Sequence, residues 1–409
     1  MRIFTAVRHA NDPRLFYGGL WSGNFYPALR QLGHEIVESQ VDLLPASRFM
    51  QITHHFTREE LAARADITQR ILDEVRAAHL QRPIDVFLSY FYNSHFDPTG
   101  FDEIRKLGIP SVNFYCNSVH QFEAVAEIAA RADFSWHPEK VAHARYARVG
   151  AKPVWVQMAA DPEIYHPVPG IPRERKACFI GLRYADRDRW IATLIREKIP
   201  VAIYGPGWRA DAKNKMEFFE SSSEYLGRLH TKPGSYASYL EALRQMISKH
   251  GFLAGFSLAF KRSQYRKETQ ELTALFLPYA KGPIPFQKIS EILAANELCL
   301  NFSNVWADGP CSALIAHVRL RDFEGPMCRA CYLTGHTDEI EEFYDIGKEI
   351  DTYRTTEELI DKARFYLEHA DAAERLRERG FARARRDHTW VRRFAELFSK
   401  IGLTRRSGR

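Results

Sequence analysis

One stretch in the second half of the chain, residues 318–334, brings together side chains that could bind an anion. It reads Val-Arg-Leu-Arg-Asp-Phe-Glu-Gly-Pro-Met-Cys-Arg-Ala-Cys-Tyr-Leu-Thr, and it places Arg319 and Arg321 shortly before Gly325 and Pro326. The pattern predicts a strand-loop-helix-strand junction in which the small residues after Gly-Pro form a tightly packed helix. Because the free amides at a helix start hold phosphate favourably, this junction is a candidate anion site.

Glu324 follows Arg321 by three residues and is expected to face the same opening. A carboxylate beside an anion cradle is suited to bind a ribose diol, as acidic residues do in dinucleotide-binding folds. The same residue could equally be an ordinary capping carboxylate at a helix start. Both interpretations of Glu324 stay open at this point.

Length and charge favour two globular domains that act on small anions. A chain of 409 residues is too long for one ordinary core, so two domains of about 150 to 200 residues each are expected. The formal charge of +6, from 57 basic and 51 acidic side chains, indicates a locally basic groove. A coat for nucleic acid would need a stronger basic excess.

The sequence contains neither a secretory signal nor an apolar run of the roughly 20 residues that span a bilayer, so we expect a cytoplasmic protein. Six cysteines in a chain of this size do not make a disulfide framework, and we expect reduced, buried thiols. Cys328 and Cys331 form a C-x-x-C pair, but a structural zinc site usually needs a second pair, which is missing. No metal site is therefore predicted.

Strand-like and helix-like segments alternate from the start, which is typical of a mostly parallel sheet covered by helices. After the first strand, a loop with Gly18 and Gly19 would let a ligand or a facing lobe approach the backbone closely. A single helix is predicted from residue 117 to about residue 131. It places His120 in its first turn, at the carboxyl end of a central strand, where ligands collect in open parallel sheets.

A proline-rich stretch at residues 161–172 is typical of a linker, and a second alternation begins at residue 176. Arg183 lies in the loop after the first strand of this half, and Arg187 lies near the next helix start. Both could meet an anion, or both could be ordinary surface arginines. Arg183 is preferred because arginine at a helix start is unfavourable for the helix dipole.

Taken together, these segments resemble the glycosyltransferases with two Rossmann-like lobes, the GT-B fold, and among them the spore-maturation (CgeB-like) group. The likeness covers nearly all of residues 110–400 except an apparent helical insertion at about 209–280. The motifs that carry it are Cys-Phe-Ile-Gly at 178–181, Ile-Tyr-Gly-Pro-Gly-Trp at 203–208, Leu-Asn-Phe-Ser at 300–303, Arg-Leu-Arg-Asp-Phe-Glu-Gly-Pro at 319–326, Gly-Lys-Glu-Ile at 347–350, Tyr-Leu-Glu-His at 366–369 and His-Thr-Trp at 388–390.

The alternation and the resemblance together predict an α/β protein in which two Rossmann-like lobes face a cleft, with the helical insertion in the second lobe. Residues 1–165 would form the acceptor domain and residues 166–175 the linker. Residues 176–385 would form the nucleotide-sugar domain, and residues 386–409 a helix that packs back on the N-terminal domain.

The resemblance also implies a donor site on the second lobe and an acceptor-side loop at Gly18 and Gly19. Enzymes of this kind carry another glutamate eight residues before the ribose-binding one, and Ala316 stands there in this chain, so the donor sugar and the stereochemistry stay open. The implied donor-binding residues are Glu324 at the ribose, Arg321 and Arg183 at the diphosphate, Asn301, Ser303 and Phe286 around the nucleoside, and Gly205 and Gly325 in the accompanying motifs.

The implied activity is transfer of a sugar from a nucleoside-diphosphate sugar to a hydroxyl of a protein, glycan or small molecule, without a metal or another cofactor. Its partners would be the nucleotide sugar and the acceptor, with no nucleic acid and at most peripheral membrane contact. An inverting enzyme also needs a base for the acceptor hydroxyl, and His120 is the first candidate and His95 the second. A nucleotide-sugar epimerase or phosphorylase of the same fold, or a non-catalytic scaffold of carbohydrate assembly, are the alternatives.

Overall fold

The computed structural model describes residues 1–8, 19–47, 50, 56–209, 244, 247, 251–307 and 311–403. These residues form two compact units. The first contains Met1–Asp161 together with the described residues from Asp387 onward, and the second contains Pro162–Arg386.

The first unit is built on a six-stranded sheet whose neighbouring strands all pair in parallel, in the order β2-β1-β3-β4-β5-β6. The central strands are short and fully buried, as expected for a parallel sheet covered on both faces. The strands are β1 Arg2–Ala6, β2 Glu35–Glu38, β3 Val86–Ser89, β4 Ser111–Phe114, β5 Phe134–His137 and β6 Pro153–Trp155.

Helices connect these strands, and an aromatic cluster joins the last helix of the chain to the first. The C-terminal helix Trp390–Lys400 packs on the helix Leu20–Gln31, where the Trp390 Nε1 donates to Asn24 Oδ1 over 3.0 Å. The Phe25 ring stacks on Trp136 with centroids 5.3 Å apart. The helices of this unit that come before the C-terminal helix are α1 Leu20–Gln31, α2 Leu44–Ser47, α3 Arg58–Gln81, α4 Gly100–Lys106, α5 Ser118–Gln121, α6 Ala126–Ala129 and α7 His143–Arg148, with 3₁₀ turns at Phe122–Ala124 and Lys140–Ala142.

The second unit has its own six-stranded parallel sheet, in the order β14-β13-β10-β7-β8-β9, and a separate two-stranded antiparallel hairpin. The hairpin lies within the segment between β10 and the next helix. The strands are β7 Glu174–Ile180, β8 Val201–Tyr204, β9 Ala280–Gly282, β10 Asn296–Asn301, β11 Asn304–Trp306, β12 Leu314–Ala316, β13 Tyr332–Gly335 and β14 Asp351–Tyr353, with β11 and β12 forming the hairpin.

Apolar side chains on both faces of this second sheet are buried beneath the helices that cover it. Phe179 on β7 lies at the centre, in contact with the Trp208 ring at 5.9 Å and the Phe302 ring at 4.8 Å between centroids. The helices are α8 Arg187–Arg196, α9 Phe252–Phe276, α10 Ile289–Ala294, α11 Arg321–Met327, α12 Thr356–Glu368 and α13 Ala370–Asp387, with 3₁₀ turns at Phe286–Lys288 and Asp338–Glu342.

Two parallel six-stranded sheets with covering helices confirm the predicted α/β class and its two Rossmann-like lobes. Of the predicted insertion at about 209–280, the described part contains α9, and most of residues 210–250 lie outside the described residues. The β11–β12 hairpin that follows β10 is not among the elements that the sequence predicted.

The single helix predicted over residues 117–131 is wrong, because the segment forms two short helices separated by a 3₁₀ turn. Asn93, from the loop after β3, replaces the missing helical bonds. Its amide donates to Ala124 O over 2.8 Å, its side chain donates to Glu123 O over 2.8 Å, and its carbonyl oxygen Oδ1 accepts from Ile128 N. Tertiary hydrogen bonds have therefore overridden the local helical pattern.

The helix expected after Gly325-Pro326 is also displaced. The observed helix α11 ends at Met327, so Gly325 and Pro326 lie inside it and the small residues 328–331 form the turn that leads to β13. Arg329 adopts a positive φ of 57° in this turn, which is incompatible with a continuing helix.

Candidate functional site

The connectivity of the second sheet directs attention to the carboxyl ends of β7 and β10. The chain passes outward from β7 through β8 to β9, and then returns to place β10 on the other side of β7. In open parallel sheets such a reversal leaves a crevice outside the carboxyl ends of the two strands, where ligands bind. The loop after β7 begins at Gly181, and the loop after β10 begins at Phe302.

Two glycines bring the turns after β7 and β8 against each other. A side chain at Gly205 would place its Cβ 2.3 Å from the Gly181 carbonyl oxygen, and Gly205 has a φ of +128°. The same carbonyl accepts a hydrogen bond of 2.8 Å from Trp208 Nε1. A glycine is therefore required at position 205 because the backbone passes close to the Gly181 turn, and this packing accounts for Gly205 without a bound ligand.

Arg183, the preferred diphosphate ligand from the sequence, is fully committed within the protein. Its guanidinium forms a bidentate ion pair with Asp188, with Nη2 at 2.6 Å from Oδ2 and Nε at 3.0 Å from Oδ1. The remaining hydrogens reach Thr273 Oγ1 at 2.8 Å and Thr269 O at 2.5 Å on α9. Both charged side chains are only 4% exposed. The prediction for Arg183 needs correction, because it fastens α9 to the start of α8 and has no donor left for a phosphate.

Arg187 and Arg319 form a different pair of cations at the same edge, and both contact Tyr184. The Arg187 guanidinium carbon lies 4.2 Å from the centre of the Tyr184 ring, and that of Arg319 lies 5.7 Å from it. Arg319 also donates to the Tyr184 hydroxyl and, over 2.9 Å, to the Asn304 carbonyl. Arg187 donates to the Leu182 carbonyl over 2.7 Å. The loops after β7 and β10 thus supply a compact cationic cluster.

The negative charge of Asp186 acts on this cluster and raises the pKa of Arg187 and of Tyr184, but Asp186 forms no ion pair with either arginine. Within the described residues, neither Arg187 nor Arg319 forms an ion pair with a carboxylate, and the Nε atom of each is buried without a hydrogen-bond partner. Burial lowers the pKa of Arg187 to about 10. For Tyr184, burial raises the pKa, but the charges of Arg319 and Arg187 oppose it and the net pKa lies below the usual value. An anion at this place would relieve the cost of the buried Arg187 cation and the half-buried Arg319 cation.

Arg321 and Glu324 lie on α11 and pair with each other. Arg321 Nη1 is 2.7 Å from Glu324 Oε2, and Glu324 is 3% exposed. Burial lowers the pKa of Arg321, but the Glu324 carboxylate outweighs it and keeps the pKa above the usual value. The Tyr165 hydroxyl hydrogen-bonds to Glu324, and burial with this carboxylate raises the Tyr165 pKa. The structure brings these residues together, and their predicted contacts with ribose and diphosphate stay predictions.

The predicted phosphate cradle of free amides at the start of this helix is wrong. The amides of Asp322, Phe323 and Glu324 donate to the carbonyls of Arg319 and Leu320 over 3.1 to 3.2 Å. The tight turn that begins this seven-residue helix therefore engages these three amides within the chain.

Asn301 and Ser303 are both engaged in hydrogen bonds within the second unit. Asp322, buried beneath the loop, accepts from Asn301 Nδ2 over 3.0 Å and from the Arg319 amide over 2.6 Å. Ser303 Oγ donates to the Gly335 carbonyl over 2.6 Å. Both residues are nearly inaccessible, at 4% and 3% exposure. Asn301 thus helps to position the loop that carries Arg319 through Asp322, and Ser303 ties the end of β10 to β13. Their predicted contacts with a nucleoside stay predictions.

Gly325 and Phe286 complete the donor-side predictions. A Cβ at Gly325 would come within 2.5 Å of the Tyr332 ring, so this glycine allows α11 to lie directly on β13. Phe286 is half-buried at the start of a 3₁₀ turn, and its ring meets Tyr165 edge-on at 5.5 Å. Gly325 is explained by packing, and the contact of Phe286 with a nucleoside stays a prediction.

The candidates in the first unit differ in how closely they are held. His95 is completely buried, and its Nδ1 accepts from the Tyr92 amide over 3.0 Å while its Nε2 lies 2.9 Å from Ser47 Oγ. His95 is therefore unsuited to be a base, because both ring nitrogens are engaged in the interior. His120 is half-buried on α5, directly after the carboxyl end of β4. Its role as base stays a prediction.

The acceptor-side loop is only partly described. Gly19 precedes α1 and forms its N-cap, and its carbonyl accepts from the Gly23 amide over 2.9 Å. Gly18 lies outside the described residues.

Reasoning from the sequence preferred Arg183 over Arg187, and it did not single out Tyr184 or Asn304. The spacing of Arg183 and Asp188, five residues apart across a loop, carries no periodic signal for an ion pair. A better indicator of the cationic cluster would have been the spacing in the loop after β7, where Tyr184 follows Gly181 by three residues and Arg187 follows Tyr184 by three more.

The described part of the chain shows neither a cluster of metal ligands nor a membrane-spanning helix. Among the described residues, no group of three or more His, Cys, Asp or Glu side chains is arranged to hold a metal ion. Within the same part of the chain, no helix combines the length and the apolar character that a membrane span requires.

Solved structures share the architecture of the chain. HepE of Anabaena, in complex with UDP, is 10% identical, with 98% of this chain and 100% of that chain covered at a TM-score of 0.52. Sucrose-phosphate synthase of Thermosynechococcus elongatus is 11% identical over 98% and 99% of the two chains, at 0.55. A glycosyltransferase of Rickettsia africae is 10% identical over 98% of each, at 0.55. The fold is that of the GT-B glycosyltransferases.

No curated protein matches the chain. The family model described as glycosyl transferase-like matches residues 187–399, which is more than half of the 409 residues and begins at Arg187 itself. The chain belongs to this glycosyl transferase-like family.

Proposed function

We propose that the protein transfers a sugar from a nucleoside-diphosphate sugar to an acceptor hydroxyl, and that Arg187 and Arg319 bind the diphosphate. The observation that carries this proposal is a cluster of two guanidinium groups at the reversal point of the second sheet, one on the buried Arg187 and one on the half-buried Arg319. Neither has a paired carboxylate among the described residues. Membership of a glycosyl transferase-like family supports the class of reaction.

The chemistry of sugar transfer requires such a cluster. Breaking the bond between the anomeric carbon and the phosphate leaves a nucleoside diphosphate, whose charge grows in the transition state. Preorganised cations in a site of low dielectric stabilise this developing charge more than the ground state. Arginine suits the role because its planar guanidinium stays charged and hydrogen-bonds phosphate oxygens through two nitrogens.

Tyr184 adds a hydroxyl donor between the two cations. Its oxygen accepts from Arg319, so its own hydrogen remains available for a phosphate oxygen. The neighbouring positive charges make this phenol more acidic than an ordinary tyrosine, which strengthens its hydrogen bond to an anion. The Asp322 network supports the arrangement by fixing the backbone at Arg319.

Two further parts of the proposal concern the acceptor and the metal. We propose His120 as the base that takes the proton of the acceptor hydroxyl, since it follows a central strand at the carboxyl edge of the first sheet. We also propose that the two arginines replace a divalent metal as the counter-charge for the leaving group.

A coupled assay of free UDP tests the proposal. HepE, the similar protein named above, has also been solved with UDP-glucose, which makes this donor a reasonable first probe. The protein should release UDP from a UDP-sugar at a rate that rises on addition of an acceptor mixture, with and without EDTA. Loss of release in EDTA would overturn the metal-independent part. Conversion of the donor to an isomer, or phosphate-dependent cleavage, would overturn transfer itself.

A further inference from the structure

The first turns of helix α9 expose a row of apolar side chains, here called the aromatic ridge: Phe252, Leu253, Phe256 and Phe260. The three phenylalanines follow one another at intervals of four residues, so they lie along one side of the helix. Their exposed fractions are 67%, 56% and 61%, and that of Leu253 is 84%. The Phe252 and Phe256 rings also contact each other, with centroids 6.3 Å apart. A contiguous exposed apolar row marks a surface that meets another protein or a membrane.

Another side of α9 fastens the helix to the second unit. Gly255 and Ala259 are buried within the same turns that expose the ridge. In the second half of the helix, Phe276 is completely buried, and its ring meets Trp208 at 5.3 Å between centroids. Arg183 adds its hydrogen bonds to the two threonines of α9. The ridge is therefore presented by a helix whose packing is already provided by other residues.

Cations follow the ridge along the same helix. Lys261, Arg266 and Lys267 are exposed, and no acidic residue occurs from Phe252 to Lys267. Lys267 comes seven residues after Phe260, two helical turns further on, and so continues the side that carries the ridge. The exposed part of α9 thus combines an apolar row with positive charge.

The two carboxylates of α9 leave this positive charge in excess. Glu268 Oε2 lies 3.6 Å from Arg189 Nη2 on α8, in an exposed ion pair. Glu271 is exposed nearly one turn later. Helix α9 carries four basic and two acidic side chains, and one of the two acids is paired outside the helix. A partner that fits this surface is therefore both apolar and anionic.

A second copy of the chain fits the ridge poorly. From Phe252 to Phe260 the ridge extends only about 12 Å along the helix axis, at about 1.5 Å per residue. A stable interface between two proteins buries about 800 Å² on each partner, which is more than four partly exposed side chains present. The identical cations of two such helices would also repel each other.

The surface of an anionic bilayer satisfies both requirements. Aromatic and leucine side chains are stabilised in the boundary between headgroups and acyl chains, where a short ridge is long enough to insert. Lysine and arginine next to them are attracted by the negative surface potential of anionic lipids. Their long side chains allow the charged groups to stay at the depth of the phosphates while the rings lie deeper.

We propose that α9 binds the surface of a membrane that contains anionic lipids. The aromatic ridge enters the headgroup region, and Lys261, Arg266 and Lys267 contact the lipid phosphates. This inference does not rest on the proposed function, because it uses no feature of the cluster of Arg187, Arg319 and Tyr184.

Co-sedimentation of the full chain with vesicles tests the inference. One set of vesicles consists of phosphatidylcholine alone, and the other of an equal mixture of phosphatidylcholine and phosphatidylglycerol. The variant Phe256→Ser removes one ring of the ridge. Its matched control is Phe365→Ser, which removes a ring that is 45% exposed on α12.

A second pair of variants tests the charges. Arg266→Glu with Lys267→Glu reverses two cations beside the ridge. Its matched control, Arg375→Glu with Arg379→Glu, reverses two exposed cations on α13. All four altered positions are exposed, so circular dichroism should show that these variants and their controls fold as the unaltered protein does.

The unaltered protein should bind the mixed vesicles at least about tenfold more tightly than phosphatidylcholine alone, and high salt should weaken this binding. Phe256→Ser should weaken binding to mixed vesicles by about fivefold, because less apolar surface leaves water. The reversal of Arg266 and Lys267 should weaken it by about tenfold or more. Both control variants should bind within about twofold of the unaltered protein.

Three results would overturn the inference: no binding to the mixed vesicles, equal binding to both kinds of vesicle, or effects of the control variants as large as those of the ridge variants. A dimer that Phe256→Ser dissociates in analytical ultracentrifugation, without binding to vesicles, would assign the ridge to a second copy instead. Failure of the proposed function has a different signature, because the protein would then bind these vesicles without binding UDP.

Discussion

Replacing Arg183 distinguishes a structural arginine from a ligand-binding one. Arg183→Met leaves Asp188 buried at 4% exposure without its partner, and it removes the hydrogen bonds to Thr269 and Thr273 that fasten α9. Breaking a buried ion pair from one side costs about 3–5 kcal/mol, because the remaining charge is neither solvated nor compensated. For a unit of this size, such a loss lowers the melting temperature by roughly 10 °C.

The assay is urea unfolding followed by far-ultraviolet circular dichroism, with UDP affinity measured on the folded protein. The double variant Arg183→Met with Asp188→Leu should recover most of the stability, because no unpaired charge remains. UDP affinity should change by less than about twofold in the folded single variant, a difference worth less than about 0.5 kcal/mol. A stable Arg183→Met protein that no longer binds UDP would refute this reasoning and restore Arg183 as a diphosphate ligand.

Three further predictions concern pH, the base and a turn. UDP affinity should fall as the pH rises through the lowered pKa of Tyr184, below 10, because the phenolate repels the diphosphate. The variant Tyr184→Phe should remove this dependence of UDP affinity on pH. An identical decline of affinity at alkaline pH in that variant would contradict the prediction. His120→Gln should reduce kcat by about 100-fold or more with little change in UDP affinity, whereas a normal kcat would exclude His120 as the base. Gly205→Ala should prevent stable folding of the second unit or lower its free energy of unfolding by several kcal/mol, since the Cβ of the alanine would lie 2.3 Å from Gly181 O. A denaturation midpoint equal to that of the unaltered protein would contradict this packing.

The alternation of strands and helices was enough to predict two parallel sheets, because buried parallel strands show up as short apolar runs between helical patterns. The β11–β12 hairpin was missed since its strands have only three residues each, which is too short for the alternating pattern of a strand to show. The helix predicted over residues 117–131 was broken by Asn93, which lies far away in the sequence. Local patterns cannot report such tertiary hydrogen bonds.

The site was predicted less well than the fold, for a related reason. The sequence directed attention to the loops after β7 and β10 and to the segment around Arg319, because glycines and arginines cluster there. The sequence alone could not indicate which arginines form ion pairs with carboxylates. Arg183 and Asp188 neutralise each other, Arg321 and Glu324 do the same, and only the folded chain leaves Arg187 and Arg319 around Tyr184. Similarly, nothing in the residue types of Asn301 and Ser303 distinguishes a ligand contact from a bond to Asp322 or Gly335.

The central claim, that Arg187 and Arg319 bind the leaving diphosphate, is tested most directly by calorimetric titration of UDP into the full chain and its Arg187→Met plus Arg319→Met variant. Arg196→Met, exposed at the end of the same helix α8, serves as the control. Removing two cations that form no ion pair with a carboxylate among the described residues should leave the fold intact and weaken UDP binding by at least about 100-fold, or about 2.7 kcal/mol. The Arg196→Met variant should bind UDP normally. Equal UDP affinity in the double variant and the unaltered protein would contradict the account.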